Sequence, residues 1–261
     1  MQQSVILNVS VPSATVITPA YNEEKRIGVV LEEITHFILH KKVDWNVIVS
    51  IDGNDGTERI VNDYSKKYGF VSYIKNRERG GKGGAIRRVV NQSTGEFTII
   101  MDADGSVKLS SILDNLHLTK DYDVILFDRY SSSVNSIPLR RRIPSRGFNI
   151  MVKAILGIRV NDTQCGYKII NTDLLKKAFG RIVITNTFFD VALLYYLKDM
   201  GATVKEVEVD YSHDGQSKFN VVSEIMGQGL SLLAFRVRHS RFYKHVPEWA
   251  SRLYMRKYRW I

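Results

Sequence analysis

Apolar positions along this chain follow two rhythms that take turns. Short β-rich runs come first: ATVIT (14–18), NVIVSI (46–51), FVSYI (70–74), FTIIM (97–101) and DVILF (123–127). Between them the apolar residues fall at helical spacing, as Ile27, Val30, Leu31, Ile34 and Ile38 do on one face. Further helices are expected over about 57–68 and through 85–90. The alternation of strand and helix predicts an α/β protein with a mostly parallel sheet and helices on both faces. The second half is less regular. It predicts helices near 145–157 and 188–200, a strand over 203–211 and a long helix from about Asn220. No linker, repeat or low-complexity stretch divides the chain, so one domain is expected over 1–239, followed by a tail over 240–261.

In a parallel sheet, ligands bind beyond the carboxyl ends of the strands. Polar clusters stand at those ends: Tyr21-Asn22-Glu23 after the first strand, Asp52 after the second, NRERGGKGGAIRR (76–88) after the third, and Asp102 and Asp104 in DADG after the fourth. The glycine-rich stretch is not a P-loop, because Gly83 follows Lys82 where a Mg²⁺-binding hydroxyl is needed. It is not a dinucleotide fingerprint either, since Ile86 takes the place of the third glycine. Its glycines and Lys82 still suit an anion placed at a helix N-terminus. Taken alone, DADG reads equally as a turn with Asx hydrogen bonds or as two carboxylates sharing a hard divalent cation.

Charge adds a second theme. The formal net charge is +10, and between Arg236 and Arg259 many basic residues face a single acid, Glu248, with Phe242, Tyr243, Trp249, Tyr254, Tyr258 and Trp260 interleaved. Basic and aromatic residues together suit an anionic membrane interface; a solvated helical tail is the alternative. No RNA-binding module accompanies the charge, so no nucleic-acid partner is expected. No apolar run reaches the length needed to span a bilayer. The single cysteine, Cys165, excludes an internal disulfide, and MQQSVILNVSVPS at the start does not read as a signal peptide. A reducing compartment is expected.

The ordered set ITPAYNEE, SIDGNDGT, KNRERGGKGGAIRR, MDADGS, NDTQCGYKI, FFDVALLYYL and DGQSKF resembles the inverting family 2 glycosyltransferases of GT-A fold. Within them it is similar to the polyprenyl-phosphate branch: first the dolichyl-phosphate β-glucosyltransferases, then the dolichyl-phosphate mannose synthases. The resemblance implies a hexose transfer from a nucleotide sugar, UDP-glucose by preference, to dolichyl or polyprenyl phosphate. It implies a nucleotide-sugar site of Pro19, Ala20, Tyr21, Glu23, Asp52, Lys82 and Asp102, and a Mg²⁺ or Mn²⁺ site of Asp102, Asp104 and Ser106. It places the acceptor phosphate on Arg129, Arg141 and Ser145, and the reacting groups at Asp162, Gln164 and Lys218. The family's G-S-R is replaced here by Phe127-Asp128-Arg129, so Asp128 is expected either to weaken phosphate binding or to orient the arginine.

A phosphate acceptor is already anionic near pH 7, its second pKa being about 6, so Asp162 is expected to orient rather than abstract a proton. Cys165 is expected to be a packed residue, not a nucleophile. The enzyme is expected on the cytoplasmic face of a membrane, held peripherally by its tail or by a membrane partner protein. Three other readings stand beside this one: a GDP-mannose-using enzyme of the same branch, a glycosyltransferase acting on a sugar or protein hydroxyl, and a membrane-binding protein without activity.

Overall fold

The computed structural model describes residues 11–132, 137–211, 221–241 and 243, with backbone only for 221–226. The strands form one seven-stranded sheet, β1 (Ala14–Tyr21), β2 (Trp45–Asp52), β3 (Val71–Lys75), β4 (Phe97–Ile100), β5 (Val124–Asp128), β6 (Lys168–Asn171) and β7 (Val204–Glu208), in the order β3-β2-β1-β4-β6-β5-β7. Six strands run in one direction. Only β6 is reversed, antiparallel to both β4 and β5. This reversal brings the segment that leads into β6 to the edge where the other six strands end.

Alternate residues of each strand face opposite layers. Val16, Val47, Val49 and Ile99 face the layer containing α1 (Ile27–Lys41) and α2 (Thr57–Lys67). Ile17, Ile48 and Ile100 face the other layer, which holds α3 (Gly81–Val89), α5 (Leu139–Leu156), α6 (Thr172–Arg181), α7 (Phe189–Asp199) and α8 (Val221–Arg238). The short α4 (Leu109–Leu113) packs Leu109 and Ile112 on the first side. All five α1 residues picked out by spacing are buried, each contributing about 1.5–3 kcal/mol as burial of a Val, Leu or Ile side chain does.

Two helix boundaries differ from expectation, and both differences shape the site. Helix α3 begins at Gly81 rather than near Ala85, so Lys82 lies in its first turn and not in a loop. Gly81 has φ of +67°, and a Cβ there would lie 2.9 Å from the Thr185 carbonyl oxygen, so glycine alone lets the turn close. Helix α5 begins at Leu139 rather than near 145 and runs through Pro144. Proline lacks an N–H and so reads as a boundary. Here the helix continues past it, which puts Arg141 and Ser145 four residues apart on a single helix.

Candidate active site

The residues expected to hold the nucleotide lie at the ends of β1 and β2. The turn after β1 is laced to the turn after β2: Glu23 N–H donates to Thr57 Oγ1 at 2.8 Å, and Asn54 N–H donates to Asn22 Oδ1 at 3.1 Å. Pro19 and Ala20 lie within β1, and the exposed Tyr21 ring sits under the Arg79 guanidinium, 4.1 Å from its centroid. Asp52 is buried. Its carboxylate accepts from Asn76 Nδ2 at 2.6 Å and from Gly80 N–H at 2.9 Å, with Arg88 Nη1 at 3.5 Å. Asp52 therefore organises the glycine-rich stretch as well as standing at the expected base-contact position. Asn76 Oδ1 is buried there without a hydrogen-bond partner.

The carboxylate pair follows β4. Asp102 Oδ1 lies 2.6 Å from Lys82 Nζ at the start of α3. Burial acts to raise the Asp102 pKa, but Lys82 overcomes it and holds the group below the usual carboxylate range. Asp104 Oδ1 accepts from Ser106 N–H at 3.0 Å and from Tyr167 Oη at 3.4 Å. Burial pushes Glu23 above its ordinary pKa against the pull of Arg26, and the charges of Asp104 and Asp102 raise it a little further.

These residues fit a hard divalent cation. Among the described residues no cluster of three His, Cys, Asp or Glu side chains could hold a metal by itself. A site on Asp102 and Asp104 would therefore need its remaining ligands from elsewhere, such as phosphate oxygens. Ser106 is buried beside Asp104, with its backbone turned to that carboxylate.

The residues expected to hold the acceptor gather around Arg129 and Tyr130. Arg129, partly buried, donates to the buried Asp162 through Nε at 2.7 Å and Nη2 at 3.0 Å, a two-pronged pair. Its guanidinium lies over the Tyr130 and Tyr211 rings, and Arg142 and Arg146 of α5 donate to the Tyr130 carbonyl at 3.4 and 3.3 Å. Arg141, half-buried, stands one helical turn before Ser145. Asp128 is buried and accepts from Tyr130 N–H at 2.7 Å and from the Ser131 hydroxyl, so it shapes the turn that presents the arginine. Gln164 donates to Gln228 Oε1 at 2.7 Å, tying this side to α8. Burial pushes the Cys165 thiol up to about 12, so it stays protonated and is no nucleophile. Lys218 lies outside the described residues, as does most of the 240–261 tail.

Sequence reasoning missed several residues that hold the site. Glu206 of β7 accepts from Asn161 N–H at 2.7 Å and Asp162 N–H at 3.0 Å. Lys168 pairs with Asp190 beneath the turn that carries Asp162 and Gln164. Each acts from a distant stretch that local pattern does not mark. The nearest available signal was a charge inside an otherwise apolar run, at Lys168 in YKII and Asp190 in FFDVALL.

The fold and the acidic edge together define a nucleotide-sugar transferase of GT-A architecture. The chain belongs to the glycosyl transferase family 2, whose family model matches residues 15–179. It is 30% identical to the dolichyl-phosphate β-glucosyltransferase of Mus musculus over 86% of this chain and 75% of that one. It is 28% identical to the enzyme of the same name from Dictyostelium discoideum, over 86% of this chain and 74% of that one. Among solved structures, it shares its fold with the glucosyl-3-phosphoglycerate synthase of Mycobacterium tuberculosis in complex with Mn²⁺, UDP and glucosyl-3-phosphoglycerate. That match has a TM-score of 0.61 and 16% identity, covering 87% of this chain and 79% of that one.

Proposed function

We propose that this glycosyltransferase moves glucose from UDP-glucose to dolichyl or polyprenyl phosphate, with inversion at the anomeric carbon. The observation that carries the reading is the Arg129–Asp162 pair. The acid at the acceptor turn is bonded through both oxygens to a guanidinium, so the acceptor side presents a cation where a hydroxyl acceptor would need a free base. A phosphate monoester suits that arrangement. It is largely dianionic near pH 7, it is recognised by arginine, and it attacks without giving up a proton first. The names of the relatives support the same acceptor and sugar.

In this reading a lipid-phosphate oxygen forms a bond to the anomeric carbon while the bond to the nucleoside diphosphate breaks and its electron pair leaves with the diphosphate. Arg129, Arg141 and Ser145 bind and aim the acceptor phosphate. Asp162 orients Arg129. Lys82 places positive charge beside the departing diphosphate, and the N-terminal end of the α3 dipole favours the same anion. Asp102 and Asp104 would hold Mg²⁺ or Mn²⁺, which supplies neutralising charge to the diphosphate when bound; the Mn²⁺ and UDP of the structural neighbour fit that use of the fold.

The lipid acceptor puts the enzyme at a membrane surface. Among the described residues no helix is long and apolar enough to cross a membrane. Peripheral contact is supported by the outward stripe of α5, where Leu139, Ile143 and Ile150 are exposed and alternate with Arg146 and Lys153. Helix α8, packed on α5, exposes Leu230, Leu233 and Val237.

The test is to incubate purified enzyme and dolichyl phosphate with UDP-glucose, GDP-mannose and other nucleotide sugars in turn, and to weigh the lipid product. Glucosyl-phosphoryl lipid from UDP-glucose is expected. Product from GDP-mannose alone, or transfer only to hydroxyl acceptors, would overturn the reading.

A further inference from the structure

Lys168, the first residue of β6, is fully buried. Its ammonium lies 2.5 Å from Asp190 Oδ1 and also donates to the Cys165 carbonyl oxygen. As a contribution to stability alone this pair is hard to justify, because a buried ion pair is commonly no better than apolar residues of the same volume. Its position gives it another use.

Asp190 stands in the first turn of α7, and the 185–190 segment touches both halves of the site. On the donor side, Gly83 N–H donates to the Thr185 carbonyl at 3.1 Å. A Cβ on Gly83 would lie 2.6 Å from Phe189 Cβ, so the first turn of α3, with Lys82, is seated directly on this segment. On the acceptor side, Lys168 joins Asp190 to the carbonyl of Cys165, and Gln228 joins Thr187 at 3.2 Å to Gln164 at 2.7 Å. The acceptor turn also abuts the carboxylate pair, since a Cβ on Gly166 would lie 1.6 Å from Asp102 Oδ2. The donor lysine, the carboxylate and the acceptor turn are thus all referred to one short piece of chain.

We propose that the Lys168–Asp190 pair is a positioning device that holds the 162–166 turn in register with Asp102 and Lys82, so that acceptor phosphate and sugar meet in line. This rests on the proposed glucosyl transfer for its catalytic readout, but not for its structural one. Lys82 adds a further link: burial works against its charge, and Asp102 and then Asp190 outweigh that, raising its pKa.

The experiment compares wild type with the double variant Lys168→Met/Asp190→Leu, which removes both charges and leaves none unpaired. Thermal melting, hydrogen–deuterium exchange and steady-state kinetics are measured on each. The expected result is a melting temperature within a few degrees of wild type, exchange over 161–167 at least tenfold faster, and kcat at least 30-fold lower with the nucleotide-sugar KM changed less than threefold. A purely structural pair would give native melting, native exchange and native kcat together, and that outcome overturns the proposal.

If the double variant does not fold, Asp190→Asn, which keeps the shape and a hydrogen bond to Lys168, is measured in the same way. Faster exchange over 161–167 with lower kcat supports positioning, and wild-type values of both overturn it. Should wild type make no glucosyl lipid at all, the assigned reaction fails, while the exchange comparison still decides whether the pair holds the turn.

Discussion

At the scale of single residues, the site is fixed by what cannot change. Gly166 is the clearest case. Alanine there would drive its Cβ into Asp102 Oδ2, 1.6 Å away, so either the carboxylate or the turn must move. Overpacking of this kind costs about 1–3 kcal/mol, and the displaced group is one that faces Lys82. Gly166→Ala should therefore lower both the urea midpoint and turnover; a variant that retained both would show that the turn yields without consequence. Asp104 is the opposite case. Its carboxylate accepts two hydrogen bonds on one oxygen, and in the proposed mechanism its other oxygen would meet the cation. Asp104→Asn should melt like wild type yet lose turnover by about 10²-fold, the scale seen when one preorganised electrostatic group is removed. Initial rates across a Mn²⁺ and Mg²⁺ titration are the measurement, and near-normal activity of the variant in EDTA would exclude a metal-assisted reaction.

At the scale of elements, α7 and α8 meet where Phe235 packs on Tyr195 and Tyr196 and where a histidine bonds across. His239, just beyond α8, accepts from Tyr196 Oη at Nε2, 2.9 Å, and donates from Nδ1 to the Phe235 carbonyl, 2.8 Å, an arrangement of the neutral ring. Burial lowers its pKa, the Phe235 hydrogen bond opposes this, and Arg238 and Arg181 lower it further. The unfolded chain carries a histidine of pKa about 6.5. Below that pH the unfolded state takes up the proton more readily than the folded one, so stability falls as pH drops from 6.5 toward the depressed folded value, and is constant above 6.5 as far as this group is concerned. Unfolding free energies from pH 5 to 8 should slope less for His239→Gln than for wild type. Equal slopes would show that the ring is not the titrating group. The boundaries of α3 and α5 belong to this scale too. Pro144 and the run of glycines signalled breaks to a local reading, and only packing against 185–189 and hydrogen bonds to the Tyr130 carbonyl carry the helices through them.

At the scale of the whole molecule, the placement of charge and apolar surface bears on the proposed membrane contact. Helix α5 contains no acidic residue, and Leu139, Ile143, Arg146, Ile150 and Lys153 recur on its outward face at helical spacing. Apolar side chains entering the headgroup layer and bases near anionic lipid, each worth roughly 1 kcal/mol, act together on such a face. Ile143→Glu/Ile150→Glu should leave nucleotide-sugar binding unchanged while reducing co-sedimentation with phosphatidylserine vesicles, and high salt should reproduce part of the loss in wild type. Undiminished sedimentation of the variant would move the contact away from α5, to the basic aromatic tail or to a membrane protein.

The sequence by itself determined the strand–helix alternation, the buried face of α1 and the order of the polar motifs, because each depends on residues a few positions apart and on periods of two or 3.6. That sufficed for the α/β class and for the acidic edge at Asp52, Asp102 and Asp104. Only the tertiary structure decided that β6 runs backwards between β4 and β5, which delivers the 162–166 turn to that edge. It also decided that Asp162 belongs to Arg129, 33 residues away, and Lys168 to Asp190, 22 residues away. Those pairings form because burying any one of these charges alone costs several kcal/mol, and which partner meets that cost depends on how the sheet is assembled and not on any pattern along the chain.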